Sequence, residues 1–248
     1  MTTNITTATA GVPLLGLLTG RLAPLGAKAV PSGIAKTVRS GRVALTPTGF
    51  DGDEQGDRVK HGGPEKAVHH YPFDHYEAWK AELGDIDLLL HPGAFGENLS
   101  SQGLTEADVA VGDVFRLGSA IVEVSQGRQP CWKLNERFGR PEVARSVQSS
   151  GRTGWYYRVI EAGSVSPDDR LVLIDRRAPE WTIRQIWHYF YVDRLNAAAL
   201  AQLADLPPLA ESWRKYARKR LETREVEDWT KRLTGRAPGD VASAGNAS

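Results

Sequence analysis

The stretch Val122-Glu-Val-Ser-Gln-Gly-Arg128-Gln-Pro-Cys131-Trp132-Lys133 contains the only cysteine of the 248-residue chain. Residues 119–125 alternate apolar and polar side chains and are rich in β-formers, which predicts a strand with one buried face. Gly127 and Pro130 are expected to end this strand, because proline has no N–H to donate and glycine favours turns. Cys131 is therefore predicted to lie in a loop at the end of a strand.

Two cations flank this cysteine, Arg128 before it and Lys133 after it. Nearby positive charge favours the thiolate, which is the form of cysteine that attacks electrophiles and binds metals. A buried, unreactive cysteine that fills space as a small apolar residue fits the same window. The window alone predicts where Cys131 lies and leaves its role open.

The composition is that of an ordinary globular protein, with 41% apolar and 25% charged residues. The 31 basic residues are balanced by 30 acidic ones, so the chain as a whole does not favour binding to nucleic acid or to an anionic membrane. A single cysteine forms no internal disulfide, which fits a reducing compartment. No charged segment precedes the apolar residues 12–18, and no apolar run approaches the ~20 residues that span a bilayer. We therefore expect a cytoplasmic protein without a membrane segment.

Short strands separated by glycine and proline turns dominate the first part of the chain. The hydrophobic pattern predicts strands at 12–18, 42–46, 66–71, 113–118, 119–125, 155–160 and 170–174. Helices are predicted at 72–83, 131–138 and 141–147, and a capping box at 105–108 predicts a single helical turn. This arrangement favours a β-barrel or a folded sheet over a βαβ series.

The pattern becomes helical after Arg177. Thr182 and Gln185 have the form of a capping box, and apolar residues then recur at helical spacing. Residues 196–204 and 209–222 predict two more helices, and 225–233 is expected to extend the last one. The sequence therefore predicts a mainly β protein with a small α-helical appendage at 177–233. The two ends of the chain, residues 1–13 and 234–248, are expected to be disordered.

Six motifs occur in order along the chain: Ser32-Gly-Ile-Ala-Lys36, Gly56-Asp57 followed by His61-Gly-Gly-Pro-Glu-Lys-Ala67, Gly96-Glu-Asn98-Leu, Gly112-Asp113, Arg128-Gln-Pro-Cys131 and Gly151-Arg-Thr-Gly-Trp-Tyr-Tyr-Arg158-Val. Through them, residues 14–176 resemble a MOSC domain, the molybdenum-cofactor sulfurase C-terminal type, which implies a MOSC-type β-barrel with a few short helices. The chain is most similar to small bacterial proteins of this family that reduce N-hydroxylated purines and end in a three-helix domain. Gly127 departs from the family pattern, which has proline there, and is expected to loosen the loop.

The resemblance implies a molybdenum cofactor, Mo-molybdopterin, with Cys131 as the thiolate ligand of the metal and no need for pyridoxal phosphate. The implied reaction reduces a small N-hydroxylated compound, such as an N-hydroxylaminopurine base, to the amine. One cysteine cannot hold an iron–sulfur cluster, and the sequence has no flavin fingerprint or haem motif. A separate flavin-type reductase would therefore supply the electrons. A homodimer is compatible with the sequence.

The same motifs imply residues that bind the cofactor. Lys36, Arg128 and Arg152 would contact its phosphate, the arginines through a planar fork and the lysine as a point charge. His61, Gly62 and Gly63 would form a wall of the cofactor pocket, because glycines allow close approach of the backbone. A plain surface turn is the alternative for this last segment.

Two residues of the Gly96-Glu-Asn98 motif are candidates for contact with substrate. Asn98 can donate and accept hydrogen bonds, as a pterin edge or a hydroxylamine requires. Glu97 is a candidate proton donor if it is buried. A turn that Asn98 stabilises is the alternative interpretation.

Other polar residues give weaker indications. His69 and His70 are adjacent in a predicted strand and point to opposite faces, so they cannot both bind one ion. No pair of cysteines or histidines has metal-ligand spacing, which does not favour zinc. Six cations lie on the helix predicted at 209–222 or just after it: Arg214, Lys215, Arg218, Lys219, Arg220 and Arg224. A solvated helix face explains them better than contact with nucleic acid or a redox partner.

Two further functions stay open at this stage. The chain could carry the cofactor or sulfur without turnover, or Cys131 could be a metal-free redox thiol beside a basic helix that contacts nucleic acid. The absence of a second cysteine weakens the redox-thiol alternative.

Overall fold

The computed structural model describes residues 11–56 and 62–236. Its strands, in chain order, are β1 (Val12–Thr19), β2 (Ala23–Leu25), β3 (Val30–Ser32), β4 (Thr37–Val38), β5 (Val43–Thr46), β6 (Gly49–Phe50), β7 (Val68–Pro72), β8 (Leu99–Ser101), β9 (Asp113–Leu117), β10 (Ala120–Gly127), β11 (Trp155–Glu161), β12 (Gly163–Val165) and β13 (Arg170–Arg176). Its α-helices are α1 (Tyr76–Leu83), α2 (Lys133–Phe138), α3 (Val143–Ser150), α4 (Ile183–Tyr191), α5 (Ala197–Ala204), α6 (Glu211–Thr223) and α7 (Thr230–Thr234). Short 3-10 helices lie at Pro64–Lys66, Phe73–His75 and Asp87–Leu89.

Seven strands form a closed barrel in the order β13-β9-β10-β11-β7-β8-β1, and β1 pairs again with β13. Neighbouring strands are antiparallel except for the parallel pair β7 and β8. The predicted mainly β barrel with short helices and a helical C-terminal region is confirmed. Val12 and Pro13 pair with β13, in agreement with the strand predicted at 12–18 and not with the disordered end predicted at 1–13. Gly11, whose carbonyl accepts from Arg170 at 2.8 Å, and residues 234–236, which begin with the last residue of α7, are described as well. Residues 1–10 and 237–248 lie outside the described residues.

Strand β10 leads to the cysteine loop, and it differs from the prediction in two ways. It continues through Gly127, which pairs with Trp155 of β11, so the glycine does not end the ladder. It is also buried on both faces instead of one. The reason is long-range: the helical region covers the outer face, and a side chain at Gly127 would contact Trp187 and Trp213. The helices therefore hold the end of this strand from outside.

The polar residues of β10 are buried without being isolated. The carboxylate of Glu123 accepts hydrogen bonds from Arg158 and Arg177. The hydroxyl of Ser125 donates to the carbonyls of Glu65 and Tyr156. Polar side chains that alternate with valines thus form buried hydrogen bonds, which explains how the face that the alternating pattern predicted to be exposed can be buried.

The helical region begins at the predicted capping box, where the Thr182 hydroxyl accepts a hydrogen bond from the Gln185 N–H at 3.1 Å. The predicted extension of the last helix through 225–233 is wrong. Helix α6 ends at Thr223 because Arg224 adopts a left-handed conformation with φ 58°. The chain then turns back, and α7 is a separate short helix that packs against the barrel side of the molecule through Leu233.

Two apolar clusters stabilise the molecule. The larger one joins the barrel interior to the inner faces of α4, α5 and α6, so barrel and helices share one core. The smaller one contains residues of α1, α2 and α3, the buried Phe95 and Leu233.

The capping-box sequence at 105–108 forms hydrogen-bonded turns but no helix, and the Asp108 carboxylate accepts from both the N–H and the hydroxyl of Thr105. No helix in residues 11–56 and 62–236 has the length and apolar character needed to cross a membrane.

Candidate functional site

One pocket brings together four of the nine predicted site residues, which are Lys36, Asn98, Arg128 and Cys131. It opens where the loops after β3 and β6, strand β7, the loop before β8 and the loop after β10 meet. It encloses about 580 Å³ of empty space, part of which is open to solvent. Its walls are Ser32, Gly33, Ile34, Lys36, Asp53, Glu54, Gln55, Gly56, Lys66, His69, Phe95, Gly96, Asn98, Arg128, Cys131, Lys133 and Tyr156.

Cys131 lies in this pocket, in the loop between β10 and α2, as predicted. It is 5% exposed. Arg128 and Lys133 line the same pocket, so the two cations that flank the cysteine in sequence also lie near it in space. The loop is anchored by the Arg128 N–H, which donates to the Gly154 carbonyl at 3.0 Å, and by the Lys133 ammonium, which donates to the Pro31 carbonyl at 3.2 Å.

Asn98 also lies in the pocket, but its amide is already committed to the protein. Its Oδ1 accepts from the His69 N–H at 3.0 Å. Its Nδ2 donates to the Leu18 carbonyl at 3.1 Å and to the Asp53 carboxylate at 2.9 Å. Both amide hydrogens are used, so the predicted donation to a pterin or substrate is not available in this arrangement. Asn98 instead joins β1, β7 and the loop after β6 that contains Asp53 and Glu54, which we call the acidic loop.

Lys36 lines the pocket as an ion pair with Asp53, and both side chains are buried. Burial lowers the pKa of Lys36 from its ordinary value, and the neighbouring carboxylate of Asp53 opposes this shift. Asp53 further accepts from the Gly20 N–H at 2.8 Å. The positive charge of Lys36 is therefore balanced within the wall, and Lys66, Arg128 and Lys133 are the other cations at the pocket.

Glu97 and Arg152 do not line the pocket, which corrects their predicted places. Glu97 is fully buried, where its carboxylate accepts from the Tyr76 hydroxyl and from the N–H groups of Gly93 and Phe95. A carboxylate with three buried donors holds a loop in place and is poorly suited to deliver a proton to a substrate. The Arg152 guanidinium forms an ion pair with Glu82 and lies 3.8 Å from the centre of the Trp79 ring.

The remaining predicted site residues belong to the segment after the acidic loop. His61 lies outside the described residues. Gly62 and Gly63 are described and do not line the pocket. Gly63 has a φ of 92° just before the 3-10 helix at Pro64–Lys66, so it makes the turn that a glycine permits.

His69 is a pocket residue that the sequence did not identify as functional. It is 4% exposed, and its ring faces Tyr156 with centroids 5.1 Å apart. Burial and the nearby charge of Arg128 lower the pKa of His69 well below its ordinary value, which leaves the ring neutral. Its Nε2 has no hydrogen-bond partner within residues 11–56 and 62–236. The period of a strand predicts that one of two adjacent histidines faces a given side, but only the fold shows that this side is the pocket.

His70 lies on the other side of β7, and its two ring nitrogens are within hydrogen-bond distance of the Tyr157 hydroxyl, at 3.0 Å, and the Ser101 hydroxyl, at 2.9 Å. Burial lowers the pKa of His70 to about 3. It is therefore a neutral core histidine. Among residues 11–56 and 62–236 there is no group of three or more histidine, cysteine, aspartate or glutamate side chains arranged to hold a metal ion.

The basic helix α6 is largely engaged within the chain. Arg214 and Arg218 form ion pairs with Glu211 of the same helix. Arg220 is fully buried, where it pairs with Glu227 and donates to the Phe190 carbonyl. These contacts give half of the six predicted cations a structural partner.

Comparison with known proteins identifies two family regions in the chain. Residues 57–172 match the MOSC domain, and residues 181–224 match the YiiM-like 3-alpha helix domain. Protein YiiM of Escherichia coli (strain K12) is 41% identical over 214 residues, which are 83% of this chain and 92% of that protein. A protein of Gibberella moniliformis named Reductase is 34% identical over 195 residues, which are 78% of this chain and 34% of that protein.

Solved structures agree with the sequence comparison. The crystal structure of YiiM from Geobacillus stearothermophilus superposes on this chain with a TM-score of 0.73 at 35% identity. The superposition covers 85% of this chain and 99% of the YiiM chain. The two regions, in this order and on this fold, are those of one family. The chain therefore belongs to the MOSC-domain proteins that carry a YiiM-like 3-alpha helix domain.

Proposed function

We propose that this chain is a molybdenum-cofactor-dependent reductase of N-hydroxylated compounds, which receives electrons from a separate flavin-type reductase. The observation that carries the proposal is the pocket in which the only thiol of the chain lies among the cations Lys66, Arg128 and Lys133. MOSC domains are generally associated with molybdenum-cofactor binding. A fungal relative that bears the name Reductase supports an oxidoreductase over a carrier.

The side chains of the pocket fit an anionic group whose metal is coordinated by sulfur. Cys131 offers a soft thiolate ligand. Lys66, Arg128 and Lys133 offer positive charge for a phosphate. The His69 Nε2 is buried and lacks a partner in the described part of the chain, which is expected of an atom that a ligand or water satisfies.

The residues of the chain then have separate tasks. Cys131 would hold the metal, and Arg128 would favour its ionised form. The Nε2 of the neutral His69 would accept a hydrogen bond from the N–OH or N–H of a ligand. Asn98, Asp53 and Lys36 would keep the wall rigid through the hydrogen bonds described above.

The reaction needs two electrons and two protons: the N–O bond breaks, an N–H bond forms and water leaves. When bound, the cofactor supplies the two-electron couple for this chemistry. The chain has one cysteine and so cannot hold an iron–sulfur cluster of its own. We therefore assign the re-reduction of the cofactor to a separate protein.

The test is the molybdenum and pterin content of the full chain from a molybdate-supplied host, for wild type, Cys131→Ala and the exposed control Ser149→Ala. We expect close to one molybdenum and one pterin per chain in wild type and control, and metal loss in Cys131→Ala. Loaded wild type should then reduce N-hydroxylaminopurine with a supplied electron donor, and Cys131→Ser should not.

Three results would point elsewhere. Stoichiometric molybdenum without any reduction of N-hydroxylated compounds would favour a cofactor carrier. Metal-free wild type from a host that makes the cofactor would favour a thiol function. Full activity of molybdenum-loaded Cys131→Ser would refute the assigned role of the cysteine.

A further inference from the structure

One residue of α7, Arg232, forms hydrogen bonds with the backbone of the Cys131 loop both before and after the cysteine. Its guanidinium donates to the Pro130 carbonyl from Nε at 3.1 Å and to the Gln129 carbonyl from Nη2 at 3.0 Å. Its own carbonyl accepts from the Trp132 N–H at 2.8 Å. Three backbone groups, two before the cysteine and one after it, therefore form hydrogen bonds with a single residue near the C-terminal end of the described chain.

The position of Arg232 itself is fixed by contacts that do not involve its side chain. The Asn135 amide donates to the Leu233 carbonyl at 2.8 Å. Leu233 is buried in the cluster that α1, α2 and α3 form. Gly235 lies against the ring of Trp132. The residues that follow Arg232 therefore hold α7 against α2, and the Arg232 side chain extends from this helix to the Cys131 loop.

The guanidinium also acts electrostatically on the pocket. Burial raises the pKa of the pocket residue Tyr156, and the charges of Arg128 and Arg232 oppose that rise. Arg232 therefore contributes positive charge to the side of the pocket where Tyr156 and Cys131 lie, although it is not among the residues of the pocket wall.

We propose that Arg232 is a positioning residue, which holds the Gln129–Trp132 backbone so that the Cys131 sulfur faces the pocket. The proposal rests on the proposed function in that it treats this sulfur as the reactive group. Arg232 and helix α7 lie outside both matched family regions, because those regions end at residues 172 and 224. A guanidinium suits the task, since its planar fork can donate to two adjacent carbonyls at once, which a lysine cannot do in the same geometry.

The test uses Cys131 as its own reporter, because the chain has no other thiol. Full-length protein prepared without molybdate is treated with iodoacetamide over a pH series that reaches the plateau of the rate, and the alkylated fraction is followed by intact mass. The variants are compared at the plateau, where the thiol is fully ionised, so the effect of the Arg232 charge on the thiolate fraction does not enter the comparison. The variants are Arg232→Ala, Arg232→Lys and the matched control Lys231→Ala, which removes an exposed cation from the same helix. Thermal unfolding of each variant shows whether the fold is kept, and Arg232→Lys carries the comparison if Arg232→Ala does not fold.

We expect Arg232→Ala to be alkylated about ten-fold faster than wild type, because the loss of charged hydrogen bonds lets the loop open. Arg232→Lys should restore part of the protection, and Lys231→Ala should react like wild type. In molybdenum-loaded protein, Arg232→Ala should lower kcat and leave the KM for substrate unchanged, as expected for a residue that positions the reactive group.

Equal alkylation rates in wild type and Arg232→Ala would refute the inference, and so would an equal acceleration by Arg232→Ala and Lys231→Ala. If Arg232→Ala alone is faster while wild type binds no molybdenum, the positioning role stands and the proposed function fails. If wild type binds molybdenum and the rates are equal, the proposed function stands and the positioning role fails.

Discussion

The replacement Asn98→Asp separates a bracing role of Asn98 from a ligand-binding role. The new side chain has nearly the same shape, and one oxygen can still accept from the His69 N–H, as Oδ1 does at 3.0 Å in the wild type. The other oxygen cannot donate to the Leu18 carbonyl and the Asp53 carboxylate, to which Nδ2 now donates at 3.1 and 2.9 Å. The substitution therefore removes two buried hydrogen bonds without making a cavity.

The expected loss follows from these contacts. Each buried bond whose partner is left behind costs about 1–3 kcal/mol. The new carboxylate also faces that of Asp53, and at a separation of about 4 Å the repulsion adds up to ~4 kcal/mol, which the paired ammonium of Lys36 reduces. We expect the free energy of unfolding to fall by about 4 kcal/mol in protein without cofactor.

The assay is urea unfolding of the cofactor-free full chain, followed by tryptophan fluorescence and circular dichroism. The control is Asn196→Asp at the N-cap of α5, where the side chain accepts from the Ala199 N–H at 3.0 Å. Aspartate caps a helix about as well as asparagine. The control also replaces a donor to the exposed Asp193 carboxylate, at 2.8 Å, by a second carboxylate, and because this pair is exposed the control should change stability by less than about 1 kcal/mol. If Asn98→Asp is as stable as this control and only loses cofactor, Asn98 is a ligand-binding side chain and the bracing argument is wrong.

Two further predictions concern buried charged and titratable groups. Because the pKa of His70 is about 3 in the folded chain, the folded state binds fewer protons than the unfolded state below about pH 6.5, and stability decreases as the pH is lowered. Between pH 7 and 5 the wild type should lose about 2 kcal/mol that His70→Gln does not lose, and equal pH slopes in urea unfolding would contradict this. Arg220→Ala should lower the free energy of unfolding by about 3–5 kcal/mol, because it leaves the Glu227 carboxylate and the Phe190 carbonyl without their donor. The exposed control Lys219→Ala should be nearly neutral in urea unfolding, and equal losses of stability in both variants would refute the assignment.

The sequence was informative where structure depends on neighbouring residues. Alternation predicted β10 and the loop with Cys131, and the capping box at Thr182 predicted the start of α4. It was misleading where distant elements decide. The extent of β10 and the burial of its outer face depend on helices that follow it by many residues, and Arg224 ends α6 with a left-handed turn that no local pattern in its neighbourhood indicated.

The roles of polar residues were harder to predict than their places. Asn98 and Lys36 do lie in the pocket, but a motif does not reveal that Leu18 and Asp53 already occupy the amide hydrogens of Asn98. Glu97 was assigned to chemistry because it lies beside Asn98 in sequence, whereas its side chain turns toward Tyr76 and the Gly93 N–H. Whether a polar side chain is available to a ligand depends on its partners, and these come from other parts of the chain.

The same contacts explain why this pocket can be precise although loops form much of it. Loops are mobile when their backbone groups bond only to water. Here the acidic loop is tied to β1 and the Asn98 segment through Asp53, and the Cys131 loop is tied to α7 through Arg232. Each tie is a buried or half-buried charged group with several partners, which is strong when complete and costly when one partner is removed. Substitutions at these ties should therefore impair cofactor retention and stability together, whereas a substitution at Cys131 should impair cofactor retention with little effect on the stability of the cofactor-free chain.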